Sequence, residues 1–439
     1  MNLAYIFERF PSFTQTFCVR EIEQLERMGV RPLIFSIRDT RDEGIKHFPQ
    51  ELIERVHFLP PREHLVSLVK SWKDERELSR AAALTLRHWG ERGDKARVYE
   101  AAYVAKIMRD LGREAPTHIH SHFAGIGART CWWLRKFTGI TYSFTAHAND
   151  IFCKPEDETV PFASLFDEAA LVVTVSDYTA NQLRERFPQA APRVRRVYNG
   201  MDLEPFKAAR AAANREQAPG GILSVGRLIE KKGYADLINA CAILRDQGLA
   251  FRCRIVGEGP LEAALRSQIT DLQLESSVQL TGPLDIHEIR RLLVEETQVF
   301  ALACATESDG GKDNLPTVLM EAMAASLPCV STKLAGVPEM VLDGVTGLLC
   351  EERDPQSFAA HLATLLHDPA KCETMGRAGL QHAEQHFARE VTGKALQQSF
   401  KQVEGLWRRL TTPQLRHRLP KVHGKTFELG RFIQGQQSR

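Results

Sequence analysis

The chain has 439 residues, with 57 Lys or Arg against 55 Asp or Glu, and is 43% hydrophobic and 26% charged. That length exceeds one ordinary domain of about 100 to 200 residues and suits two, and the composition excludes a collagenous, globally disordered or membrane-spanning chain. A net charge of +2 argues against wholesale binding of nucleic acid.

The charge is unevenly placed. From Arg408 to Arg439 eight Lys or Arg face a single acid, Glu428, so this segment carries +7 and the remainder −5. Two readings stay open for this tail: solvation alone, or contact with anionic lipid headgroups, where each basic residue near the surface contributes about 1 kcal/mol. No apolar run approaches the roughly 18 residues of a spanning helix, and Glu8 and Arg9 interrupt the start where a signal peptide would be apolar. A cytoplasmic location is expected, with the tail as the one route to peripheral contact at the inner face of a membrane. Nine cysteines without a CxxC pair read as small core residues rather than a disulfide framework or a zinc site, so no metal is expected.

Along the chain, short apolar runs alternate with helix-period segments, the pattern of parallel sheets covered by helices on both faces. Strands are predicted at 3–7 and 33–37, separated by a loop at 9–12 and an amphipathic helix at 16–28 that stops at Gly29. Residues 62–111 read as helical throughout, with Trp72 and Trp89 among basic residues. Strands follow at 118–121, 141–145, 171–175 and 194–197. The Ala-rich stretch 208–213 and Pro219-Gly220-Gly221 read as a linker. A second series of strands is predicted at 221–225, 251–256, 278–281, 299–303 and 328–331. The reading is α/β, with two tandem Rossmann-like doubly wound domains facing a cleft. Residues 1–200 form the acceptor-side domain and 201–387 the donor-binding domain. A last helix, about 388–410, is long enough to return to the first domain, and 411–439 is the basic tail.

In open parallel sheets ligands bind beyond the carboxyl ends of the strands, so the residues directly after each strand carry the candidates. After 221–225 come Gly226, Arg227 and Lys232; a planar guanidinium and a mobile ammonium five residues apart suit a diphosphate. The segment 305–321 holds a Gly310-Gly311 pair, Asp313, Asn314, Leu315, Pro316 and Thr317, then Glu321. Asn314 reads as the N-cap of a helix at 318–325, whose free amides would cradle an anion. Asp313 and Glu321 would meet sugar hydroxyls from the same side. Gly257 and Glu258, in the turn 256–260, either make a tight turn or line a base pocket. In the first domain His147 follows a strand and can hydrogen-bond a reacting sugar, with Asp150 fixing its orientation. His118, His120 and His122 read as mostly structural, since their strand-like spacing has no partnering cysteine or paired acid nearby. The hydroxyls and amides of the loop 10–16 would meet a donor phosphate or an acceptor from the first-domain side, with Thr14 the acceptor-side candidate. The chain has no GxGxxG, which counts against a dinucleotide-binding dehydrogenase.

Taken together, residues 224–233, 256–260 and 313–324, and the later Ala335-Gly336-Val337-Pro338-Glu339 and 343–347, resemble glycosyltransferase family 4, with its two-domain GT-B fold. Residues 10–25, 120–124, 145–150 and 175–176 resemble the subgroup that builds bacterial exopolysaccharide, including colanic-acid-type transferases. The resemblance implies retaining transfer of a sugar from a nucleotide-diphosphate donor to a sugar or lipid-linked acceptor hydroxyl, without cofactor or required metal. It implies that Arg227 and Lys232 hold the diphosphate and Glu321 the ribose. It also implies that Asp313 and the amides from Asn314 to Thr317 hold the sugar, with His147 at the reaction centre. The family usually has Glu where this chain has Asp313, so either the loop moves inward or Glu307 supplies the longer reach. A catalytically silent nucleotide-sugar-binding subunit, or an epimerase or phosphorylase on the same fold, are the alternatives.

Overall fold

The computed structural model of the protein describes residues 2–12, 15–43, 48–89, 94–152, 161–212 and 220–411, with side chains through residue 403 except those of 88, 89, 149 and 212. The basic tail beyond 411 and Thr14 lie outside the described residues.

Two sheets form, and every pairing in them is parallel. The first contains β1 (Leu3–Arg9), β2 (Leu33–Arg38), β3 (Val56–Phe58), β4 (His118–His122), β5 (Thr141–Ala146), β6 (Leu171–Thr174) and β7 (Val194–Arg196), in the order β3-β2-β1-β4-β5-β6-β7. The second contains β8 (Gly221–Val225), β9 (Arg252–Val256), β10 (Val278–Gly282), β11 (Val299–Leu302), β12 (Cys329–Thr332) and β13 (Gly347–Cys350), in the order β10-β9-β8-β11-β12-β13. Helices cover both faces, so central strands are buried on both sides and read as continuous apolar runs. The strand order reverses between β1 and β4 in one sheet and between β8 and β11 in the other, which opens a crevice at the carboxyl end of each.

Two strands lack an apolar run long enough to be read from sequence. β3 is a three-residue edge, and β13 follows a glycine turn and is held by its register against β12. The region 62–111 divides into helices Arg62–Asp74, Arg80–Trp89 and Lys95–Asp110. Trp72 stacks on Tyr103, with the Lys106 ammonium 5.4 Å from its ring centre, so it packs between helices. The linker expected at 208–213 is instead mostly helix. Alanine is the strongest helix former, and Glu204–Ala212 is fastened by buried Phe206 and by Arg210, which donates to the Val294 carbonyl at 3.2 Å.

The helix Arg389–Thr411 leaves the second sheet's side and packs on the helix Thr16–Arg27, bringing Leu396, Phe400 and Val403 into one cluster with Tyr5 and Ile22. Gly393 permits the close crossing, since a Cβ there would stand 2.5 Å from Gln24 Cγ. A second tie between the halves is Glu339. Its carboxylate accepts from the backbone amides of Asp177 (2.7 Å) and Tyr178 (2.8 Å), at the start of the helix Asp177–Arg186, and from the Tyr198 hydroxyl at 3.0 Å.

Candidate functional site

β8 runs into Gly226 at φ +155°, where a Cβ would lie 2.9 Å from the Tyr234 hydroxyl and 3.2 Å from Lys232 Cε. Glycine here lets Lys232 fold beneath the strand end. Gly233 at φ +64° presses the same turn against the end of β11, where a Cβ would meet the Ala303 carbonyl oxygen at 1.6 Å. The result is a buried ion pair between Lys232 Nζ and Asp313 Oδ2, with side chains 14% and 19% exposed. Burial alone would lower the Lys232 pKa, but the Asp313 carboxylate outweighs it and holds the ammonium above its ordinary value. Arg227 is exposed, and no described residue forms a hydrogen bond or ion pair with its side chain. The Tyr234 hydroxyl is buried beside this pair without a hydrogen-bond partner among the described residues.

Asp313 precedes the helix Thr317–Ala324, whose N-cap is Pro316 and whose first amides receive no side-chain cap. Asn314 is therefore not the cap expected from sequence. Its Oδ1 accepts from Ser176 Oγ at 2.8 Å, its Nδ2 donates to Thr179 Oγ1 at 3.3 Å, and its carbonyl accepts from Gly336 N at 3.0 Å. The side chain reaches the other sheet because Pro316, with φ −67° and extended ψ, already turns the chain into the helix. Leu315 and Pro316 are buried and Thr317 is half-buried.

Glu321 stands half-buried one turn further along. Burial pushes its carboxyl up to about 7, while Arg20, Arg290 and Lys232 pull it down. Arg20 belongs to the helix Thr16–Arg27 on the first sheet, so Glu321 senses charge from both sides of the cleft. Arg20 and Arg290 were not singled out from sequence because a lone arginine on an amphipathic helix looks like any surface residue. Glu307 pairs with Lys231 at 3.4 Å and its amide donates to the Gly311 carbonyl, so Lys232 is left to the shorter Asp313.

The 256–260 turn is a strand-end lock. Gly257, at φ +144°, lies so close to Gly226 that a Cβ would be 2.0 Å from its carbonyl oxygen, and the Glu258 carbonyl accepts from Leu228 N at 2.8 Å. The Glu258 side chain is exposed.

Across the cleft, β5 ends at Ala146 and delivers His147, buried between the rings of Phe17 (centroids 4.8 Å apart) and Phe123 (4.4 Å). Burial, with His122 adjacent, holds its pKa well below the usual histidine range, so the ring is neutral. Asp150 does not orient this imidazole: it accepts from the His147 backbone amide at 2.8 Å, because the short helix Ala148–Phe152 begins there. Burial raises the Asp150 pKa to about 6, against backbone hydrogen bonds from His147 and Ala124 that lower it.

The imidazole is held instead by His122, whose Nδ1 lies 3.1 Å from His147 Nε2. The acid missing from the sequence neighbourhood of His122 is Glu21, brought from the helix Thr16–Arg27 to 3.1 Å from His122 Nε2. His118 and His120 are bonded to the Thr141, Ser143 and Thr145 hydroxyls at 2.7 to 3.0 Å. Ligand atoms of Glu21, His120 and His122 lie within 4.8 Å of one another, the one grouping of metal-ligand spacing among the described residues. Each of those ring nitrogens is already in a hydrogen bond of 2.7 to 3.1 Å, which suits a hydrogen-bonded chain better than a metal.

Family models place this architecture. Residues 14–205 match the model described as Glycosyltransferase Family 4, and residues 206–382 match Glycosyl transferases group 1. A relative from Escherichia coli K12, the glycosyltransferase WcaL, whose name assigns it to colanic acid biosynthesis, is 34% identical over 409 residues, covering 90% of this chain and 98% of its own. The amylovoran biosynthesis glycosyltransferase AmsK of Erwinia amylovora is 28% identical over 411 residues, covering 90% and 98%. Among solved structures, Anabaena Alr3699/HepE in complex with UDP-glucose superposes with a TM-score of 0.62 at 18% identity, covering 92% of this chain and 100% of that one. No helix among the described residues is long and apolar enough to cross a membrane. With two doubly wound sheets facing a cleft and relatives matched over nearly their full length, the chain belongs to the group 1 and family 4 glycosyltransferases, in the subgroup of exopolysaccharide biosynthesis.

Proposed function

We propose that the protein transfers a sugar, with retention of configuration, from a nucleotide-diphosphate donor to an acceptor hydroxyl of a growing polysaccharide or glycolipid. The Lys232–Asp313 pair beside the uncapped start of the helix Thr317–Ala324 carries this reading. Departure of a nucleoside diphosphate builds negative charge on phosphate oxygens. A buried ammonium, free helix amides and the exposed Arg227 are placed to stabilise that charge as it develops, and the low dielectric of a closed cleft strengthens each contact. Asp313 holds Lys232 in place and shares the loop that would meet the sugar; Glu321 would accept hydrogen bonds from the ribose hydroxyls. Retention without a nucleophilic carboxylate has the leaving phosphate take the acceptor's proton on the face it departs from. His147 would border the sugar from the other sheet.

The test is a thermal-shift screen with uridine, guanosine and adenosine diphosphate sugars, followed by transfer of labelled sugar to a panel of acceptors. A donor at about 100 times its Kd is expected to stabilise the protein by about 2.7 kcal/mol. Label appearing only on free phosphate, or binding without turnover across the panel, would overturn the transferase mechanism proposed.

Glu321 sets a pH dependence. A carboxylate accepts from two hydroxyls at once, whereas its protonated form has an O–H to place. With its pKa raised to about 7, donor affinity is expected to rise with pH as the proton leaves, being about tenfold weaker at pH 6 than at pH 8. Titration of donor binding by calorimetry across that window checks it; Glu321→Gln should flatten the profile.

A further inference from the structure

We propose that Glu21, acting through His122, is a positioning residue that fixes the tautomer of His147, so that Nδ1 of His147 meets the transferring sugar as a hydrogen-bond acceptor. The inference rests on the proposed placement of His147 beside the sugar and adds to it the chemistry that group presents.

The chain of contacts determines where each hydrogen goes. The Tyr5 hydroxyl donates to Glu21 Oε1 at 2.5 Å, and the same oxygen lies 3.1 Å from His122 Nε2. An ionised carboxylate only accepts, so His122 Nε2 carries a hydrogen. In the proposed relay His122 carries its one hydrogen on Nε2, toward Glu21, and Nδ1 is a lone pair. Its partner at 3.1 Å, His147 Nε2, must then be the donor. His147 Nδ1 is left with a lone pair, for which no described residue supplies a donor.

Ring orientation is settled independently. His147 lies between Phe17 and Phe123 and stacks on His122 at 5.3 Å with 22° between planes, while Asp150 is committed to the backbone amide. With the ring clamped, the tautomer is the remaining freedom, and Glu21 decides it. His122 in turn is packed by Tyr5, Phe7 and Phe17, with centroid distances of 5.6 to 6.1 Å, so a rotated ring would break those contacts. A sugar hydroxyl meeting this nitrogen must donate. The site would therefore reject a donor sugar whose hydroxyl at that position is replaced by fluorine or hydrogen.

Glu21→Gln preserves shape and can reverse the chain. With its NH2 turned to the place of Oε1, the amide donates one hydrogen to His122 Nε2 and the other to the Tyr5 oxygen, His122 Nδ1 becomes the donor, and His147 is driven to carry its hydrogen on Nδ1. The experiment combines ring nitrogen-15 NMR of histidine-labelled full-length protein with transfer kinetics for the wild type, Glu21→Gln, His147→Ala and the double variant; His147→Ala assigns the signal. The expected results are a lone-pair nitrogen at His147 Nδ1 in the wild type, N–H at that position in Glu21→Gln, and a fall in kcat of at least about tenfold with little change in KM for the donor. In the His147→Ala background, Glu21→Gln should cost nothing further, since both act through one contact. Tyr5→Phe, which only removes a donor to Glu21, should keep the wild-type tautomer and controls for packing. N–H at Nδ1 in the wild type, or additive losses in the double variant, would overturn the relay while leaving His147 beside the sugar. Unchanged transfer by His147→Ala would instead overturn the placement of His147 itself.

Discussion

Replacing Lys232 with alanine is expected to lower sugar transfer at least about a hundredfold, a loss of about 2.7 kcal/mol or more in transition-state stabilisation. The same change leaves Asp313 as a largely buried carboxylate without its cation, and breaking such a pair from one side costs about 3 to 5 kcal/mol of stability. The two effects separate in the double variant Lys232→Ala with Asp313→Asn, where the stranded charge is gone. Its melting temperature should recover most of the loss while its turnover stays low. Arg227→Ala should lower turnover at least about tenfold with an unchanged melting temperature, because the exposed guanidinium has no partner among the described residues to strand. Normal transfer by both Lys232→Ala and Arg227→Ala would overturn the proposal that a diphosphate binds at this end of β8.

Replacing Glu339 with alanine is expected to destabilise the protein by about 2 to 4 kcal/mol and to loosen the two sheets from each other. Its carboxylate accepts two amides at the start of the helix Asp177–Arg186 and the Tyr198 hydroxyl, and hydrogen bonds to a charged group contribute about 1.5 to 3 kcal/mol each, not additively. A negative charge at a helix N-terminus adds about 0.3 to 1 kcal/mol. Burial, together with the charge of Glu339, raises the Tyr198 pKa, so the phenol stays a donor at neutral pH. Glu339→Gln should lose roughly half as much, since an amide offers one acceptor oxygen without charge. Because the three acceptor contacts join residues of opposite sheets, calorimetry of Glu339→Ala should show the single transition broadening or splitting. A sharp, unshifted transition would mean that the helix Arg389–Thr411 and the Ser176–Asn314 contact hold the halves without it.

The fold was legible because a strand buried on both faces leaves a continuous apolar run in the sequence. Residues 221–225 match β8 residue for residue, and the other long strands fall within two residues of their observed ends. β3 and β13 were not, because an edge strand of three or four residues owes its existence to the neighbour it pairs with. Alanine content misled in the other direction: 208–213 looked like a spacer, yet packing of Phe206 and Arg210 makes its described part a helix.

The site divides along the same line. Gly226, Lys232, Gly233, Asp313 and Glu321 carry local signals, since a glycine at positive φ, a basic residue after a strand and an acid near a helix start are properties of a short stretch. Chain order by itself therefore determined the class of fold, the family and the loop proposed to meet the donor. Tertiary structure alone decided that Asn314 reaches for Ser176 rather than capping its own helix, that Arg20 stands across from Glu321, and that Glu21 meets His122 from a hundred and one residues away. Those contacts depend on how two helices and two sheets are set against each other, and a hydrogen bond between distant residues leaves no period, spacing or composition for a one-dimensional reading to detect.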